Sequence, residues 1–129
     1  MSKILVIDDE PLICEMLDDL LSLAGHVVVV AGNGREAMEL FESQAFEIVI
    51  ADIVMPEMDG IETIMKLKEN DPSVSVIAIS GGSRLGNYDF LGVAEKLGAS
   101  RVFYKPVDNE ALLAAIDRIS KSQNTPLSA

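Results

Sequence analysis

The residues Phe46 to Gly60 read FEIVIADIVMPEMDG, and this stretch restricts the fold more than any other. Ile48, Val49 and Ile50 follow one another with no polar residue between them. A strand with one wet face alternates apolar and polar residues. An unbroken apolar run instead belongs to a strand covered on both faces, as in a parallel sheet. The run stops at Asp52, and Met55-Pro56 then blocks continuation, because proline has no N–H to give a ladder. Asp59-Gly60 opens the next helix, with Asp59 as its N-cap. Asp52 therefore sits where a buried strand gives way to a loop. Ligands of open parallel α/β sheets bind outside the carboxyl ends of the strands. An isolated Asp in such a place ordinarily caps a turn, so the neighbouring strand ends decide its meaning.

The same pattern repeats along the chain. Lys3 to Asp8 (KILVID) is a first buried strand, and Pro11 fits the first turn of the helix after it. Leu12, Ile13, Met16, Leu17, Leu20 and Leu21 recur at helical spacing, and Gly25 ends that helix. Val27 to Val30 is the second strand. Asn33 starts a helix with Ala37, Met38, Leu40 and Phe41 inward, and the strand ending at Asp52 is the third. Ile61, Ile64, Met65 and Leu67 mark a third helix, stopped by Asn70-Asp71-Pro72. Val74 to Ile79 is the fourth strand, followed by the glycine-rich loop from Ser80 through Gly86. The spacing predicts a fourth helix over about Tyr88 to Leu97, ended by Gly98, and a short fifth strand from Arg101 to Tyr104. Asp108 or Asn109 opens the last helix, with Leu112, Leu113, Ile116 and Ile119 inward. Strands alternating with helices imply an α/β fold, a parallel sheet covered on both faces. Right-handed crossovers restrict its topology. The expectation is a flavodoxin-like, doubly wound (βα)5 fold with strand order 2-1-3-4-5.

A chain of 129 residues suits a single domain, here residues 1–122, with 123–129 as a polar tail. Half of it is hydrophobic and only 5% aromatic, which suits an aliphatic core. The formal net charge is −11, and the ten basic residues form no cluster. Phosphate-backbone binding needs a basic stripe, so direct nucleic-acid binding is not expected. Cys14 is the only cysteine and lies in a helical apolar pattern, which makes it a small buried hydrophobe. The apolar run before Asp8 is too short for a signal peptide, and no run approaches membrane-spanning length. A cytoplasmic protein without membrane contact is expected.

With that strand order, the ends of strands 1, 3, 4 and 5 are neighbours. Strand 1 delivers Asp8, Asp9 and Glu10, strand 3 Asp52, strand 4 Ser80 and strand 5 Lys105, while the outer strand 2 delivers no ionisable group. Carboxylates this close repel, by roughly 4 kcal/mol per pair at 4 Å and an effective dielectric of 20. Such a cluster must take up protons, bind a cation or accept an ammonium. Hard oxygen ligands with open positions suit Mg²⁺, which keeps several waters and coordinates phosphate oxygens. One carboxylate can then act as a nucleophile towards phosphorus, with the metal and Lys105 offsetting the incoming charge.

This constellation resembles the receiver domain of two-component response regulators, of the chemotaxis-regulator type, over about residues 3 to 120. The resemblance rests on Asp8-Asp9, Asp52 with MPEMDG, Ser80 and Lys105-Pro106, each at a strand end. It implies that Asp52 is the phosphoacceptor and that Asp8, Asp9, Asp52 and the backbone carbonyl of Val54 hold Mg²⁺. It further implies that Ser80 is the switch hydroxyl, that Lys105 contacts the phosphoryl group, and that the peptide before Pro106 is cis. The implied donor is a histidine kinase or histidine phosphotransfer protein, and the implied output a downstream protein target or onward phosphotransfer. The chain would be a signalling protein, not a turnover enzyme, limited to Mg²⁺-dependent self-phosphorylation and slow self-dephosphorylation. Two departures stand out. Val102 occupies the position of the family's switch aromatic, with Phe103 on the opposite side of the strand. The Ser80–Gly98 segment is longer and richer in glycine than usual, so its loop, with Tyr88 and Phe90, is expected to be the moving part and partner surface.

Three other readings fit less well. A flavin binder of the same fold needs a hydroxyl-rich phosphate loop after strand 1, where Asp8-Asp9-Glu10 stands. The haloacid dehalogenase-like phosphatases use D-x-D there and usually carry a cap insertion. Gly81 and Gly86 have P-loop spacing, but Asn87-Tyr88 follows in place of Lys-Ser/Thr.

Overall fold

The computed structural model describes residues 2–53, 60–80 and 98–124, with backbone alone at 60, 61, 80 and 122–124. In chain order the described elements are β1 (Lys3–Ile7), α1 (Pro11–Leu23), β2 (Val27–Ala31), α2 (Gly34–Ser43), β3 (Ile48–Asp52), α3 (Gly60–Asn70), β4 (Ser75–Ser80), β5 (Arg101–Tyr104) and α4 (Asn109–Asn124). The five strands form one parallel sheet in the order β2-β1-β3-β4-β5. This is the expected flavodoxin-like arrangement. The Asp59 cap, the helix expected near Tyr88 to Leu97, its preceding loop and the last five residues lie outside the described residues.

Side chains leave a strand alternately on its two faces, and both faces here are apolar. Ile4, Val6, Ile48, Ile50, Ile77 and Ile79 pack with Cys14, Leu17 and Leu21 of α1 and with Leu112 and Ile116 of α4. Leu5, Ile7, Val49, Ala51, Val76 and Ala78 pack with Ala37 of α2 and with Ile64 and Leu67 of α3. Every residue of β3 is buried, as its unbroken apolar run requires. The faces divide at β5 as well: Val102 joins the α2/α3 side and Phe103 the α1/α4 side.

Local signals set the helix ends. The Asn33 side chain accepts from the Glu36 N–H at 2.8 Å and caps α2. Asp108 accepts from the N–H groups of Glu110 and Ala111 at 3.0 and 3.2 Å, which makes it the cap of α4. Gly25, with φ +95°, takes the left-handed turn after α1 that a side chain would strain. On α1 the helical pattern overstated the buried arc. Leu12 and Met16 are 73% and 59% exposed. The sheet face covers only the stripe through Cys14, Leu17 and Leu21, with Ile13 and Leu20 at its margin. Among the described residues no helix is long and apolar enough to cross a membrane.

The two caps should be measurable separately. Asn33→Ala and Asp108→Ala are each expected to lower unfolding free energy by about 1 kcal/mol, whereas Glu39→Ala on the exposed face of α2 should change it by less than about 0.5 kcal/mol. Urea denaturation followed by far-UV circular dichroism reads all three. Equal losses in the three variants would remove capping as the cause.

Candidate functional site

The alternation that builds the core also aims the chemistry. Asp8 lies two residues past Val6, Asp52 two past Ile50, and Lys105 two past Phe103, all of them on the α1/α4 side of the sheet. The three side chains meet at the carboxyl edge. Lys105 Nζ lies 3.0 Å from Asp52 Oδ2, 3.1 Å from Asp8 Oδ2 and 3.0 Å from Glu10 Oε1. Asp8 and Asp52 are only 2% and 4% exposed, while Asp9 and Glu10 are open to solvent. One carboxylate oxygen from each of Asp8, Asp9, Glu10 and Asp52 lies within 4.8 Å of the other three. The Lys105-Pro106 peptide is cis.

One ammonium cannot neutralise four carboxylates. Burial raises the Asp8 carboxyl above its ordinary value, and the Asp52 charge adds to the rise. The hydrogen bond from the Glu10 N–H, at 2.9 Å, and the charge of Lys105 only partly offset it. At Lys105 the balance goes the other way. Burial opposes its charge, but the hydrogen bonds to Glu10 and Asp52, reinforced by the charges of Asp52 and Asp8, hold it firmly protonated. A cluster of hard oxygen donors with more negative charge than Lys105 can match has the chemistry of a Mg²⁺ site. Among the described residues the cluster contains no softer ligand; the nearby Cys14 thiol is buried and pushed up to about 11, chiefly by burial and then by the charge of Asp8. Its Sγ donates to the Asp8 backbone carbonyl at 3.2 Å.

The site thus brings together Asp8, Asp9, Asp52 and Lys105 from the sequence reading. Ser80 is the last residue of β4, in register with Tyr104. Its hydroxyl and the Val54 carbonyl lie outside the described residues. Two contacts had not been expected. In sequence Glu10 is simply a third acid after β1, yet it pairs with Lys105 across 95 residues. Cys14 is buried in the core as its helical pattern predicts, and it also ties α1 to the backbone that carries Asp8. The acid beside the Asp8-Asp9 pair was the available signal for the first; nothing in the sequence marked the second.

Comparison with known proteins points to one family. The family model described as "Response regulator receiver domain" matches residues 4–117. The chain is 34% identical to the chemotaxis protein CheY of Thermotoga maritima, over 92% of this chain and 98% of that protein. It is 35% identical to the transcriptional regulatory protein ZraR of Escherichia coli over 89% of this chain, which spans only 25% of ZraR. Among solved structures, a response regulator receiver domain protein from Clostridium thermocellum superposes with a TM-score of 0.86 at 31% identity, covering 95% of this chain and 97% of that one. The T. maritima response regulator TrrA, solved in complex with Mg²⁺-BeF, gives 0.78 at 28% identity, covering 92% and 99%.

The raised Asp8 carboxyl has a consequence for stability. The native state holds this proton more tightly than the unfolded chain, whose carboxyl titrates near 3.8. Stability is therefore lost as pH rises from that value through the folded one. Asp8→Asn should accordingly raise the metal-free melting temperature at pH 7, and the gain should vanish below pH 3.8. Melts across this range in EDTA check it; a variant less stable than the parent at pH 7 would show that the Lys105 pair outweighs burial and repulsion.

Proposed function

The chain belongs to the response regulator receiver domain family, and from that premise we propose that Asp52 accepts a phosphoryl group in a Mg²⁺-dependent transfer that switches protein–protein contacts. The observation that carries this reading is the placement of Lys105 Nζ 3.0 Å from Asp52 Oδ2 inside a four-carboxylate cluster. An Asp52 oxygen attacks phosphorus, the bond from phosphorus to the donor's nitrogen or oxygen breaks, and a carboxyl phosphate forms. Lys105, already beside Asp52, meets the developing negative charge. Asp8, Asp9 and Asp52, with the Val54 carbonyl, would hold the metal, and Ser80 would donate to the phosphoryl group. Bound Mg²⁺ would supply charge neutralisation on phosphate oxygens. The structure of the response regulator TrrA in complex with Mg²⁺-BeF supports that choice of ion.

The reading extends to the protein's setting. A histidine kinase or histidine phosphotransfer protein donates, and a protein target receives the signal in the cytoplasm. The domain takes in α4 through Asn124, two residues past the boundary expected at 122. The chain turns over no diffusible substrate beyond slow hydrolysis of its own carboxyl phosphate. The glycine-rich segment after Ser80 carries the output, with Val102 too small and stiff to swing as an aromatic does.

Acetyl phosphate with Mg²⁺ should add one phosphoryl group, labile to hydroxylamine and base. Asp52→Asn, nearly isosteric, should abolish the addition while leaving the melting curve cooperative. Intact-mass spectrometry and peptide mapping read the result. A base-stable phosphate on Ser80 or Ser83 would contradict the assignment.

A further inference from the structure

Glu10 occupies the N-cap of α1 without capping it. Its backbone is extended there (φ −97°, ψ 110°), and its side chain makes no cap hydrogen bond. Residues favoured at this position spend their side-chain oxygen on the first turn of the helix. Glu10 spends its oxygen on Lys105, 3.0 Å away. Its backbone is meanwhile fixed: its N–H donates to Asp8 Oδ1, and its carbonyl accepts from the N–H groups of Ile13 and Cys14. Only the side chain is free to change partner.

The three carboxylates on Lys105 differ sharply in burial. The side chains of Asp8 and Asp52 are 2% and 4% exposed, and that of Glu10 is 59% exposed. A buried carboxylate stripped of its cation is left uncompensated, whereas water replaces the partner of an exposed one at little cost. Glu10 is therefore the partner that Lys105 leaves most cheaply. A phosphoryl group on Asp52 brings about −1.5 to −2 charge and three acceptor oxygens, which draws the ammonium inward.

We infer that Glu10 holds Lys105 in reserve, competing with the phosphoryl group on Asp52 for the same ammonium and so setting how readily the site fills. The inference rests on the phosphoryl-accepting reading above. It makes Glu10 a positioning residue that acts through Lys105. Its strength is set by the reach of the side chain as well as by the charge.

The test is the affinity for beryllofluoride, the phosphoryl mimic, at saturating Mg²⁺, followed by NMR. Glu10→Gln should bind about three- to five-fold more tightly than the parent, the scale of one exposed ion pair. Glu10→Asp keeps the charge on a side chain one methylene shorter and should behave like Glu10→Gln. Glu15→Gln removes an exposed carboxylate that Lys105 does not pair with and should match the parent. Unchanged or weaker binding by Glu10→Gln overturns the inference, and so does a Glu10→Asp variant indistinguishable from the parent, which would reduce the effect to net charge. A parent protein that fails to bind beryllofluoride with Mg²⁺ overturns the phosphoryl-accepting reading itself, and this inference with it.

Discussion

The carboxyl edge of the sheet depends on one shared ammonium. Lys105 follows β5, and its side chain reaches past β4 to Asp52 on β3 and Asp8 after β1. Asp8 and Asp52 are almost fully buried, and buried carboxylates are tolerated only when paired. A four-carbon stem ending in a compact cation can serve several oxygens at once, where the planar fork of arginine would favour a single carboxylate. The lysine therefore links non-adjacent strands by charge in addition to the backbone ladder. It does so where the sheet opens to solvent.

Much of this was readable from residue order because one rule, the two-residue pleat, governs core and site together. The run Ile48-Val49-Ile50 announced a strand buried on both faces, and the same alternation carried Asp52 to the side where Asp8 and Lys105 arrive. Strand order is a different kind of information. No local pattern contains it, and it followed from crossover handedness and from likeness to known receivers. Two features escaped for physical reasons. Helical spacing shows which residues share a face but not how much of that face the sheet can cover, so Leu12 and Met16 fit the apolar spacing of α1 and yet lie in solvent. The Glu10–Lys105 pair joins residues far apart in the chain, and an exposed glutamate after two aspartates carries no mark of its partner.

The electrostatics of the edge are unbalanced in a particular way. Asp8 is paired with a cation and is still harder to ionise than a free carboxyl, because burial and the neighbouring Asp52 outweigh Lys105. The repulsion is held in place by packing: Asp8 is anchored by the Glu10 N–H and by the Cys14 thiol on its carbonyl, and Asp52 by the ladder of β3. Such a pocket attracts cations before it admits anions. On the proposed reading, this explains why a divalent metal and an incoming phosphoryl group depend on one another.

The shared pleat also divides the molecule into ends of unequal tolerance. One residue inserted within β3 would turn everything after it to the opposite face. Asp52 would then point towards α2 and α3 while Val49 and Ile50 exchanged cores. Folding and chemistry would fail together, with no intermediate in which one survived. The turns at the other end of the sheet, through Gly25, Gln44 and Ser73, lie outside the strand registers and carry none of the clustered charges. Length can drift there without reaching the site. At the amino end of the sheet a change in length stays within a turn, whereas a residue gained or lost within β1 or β3 re-aims a carboxylate of the cluster.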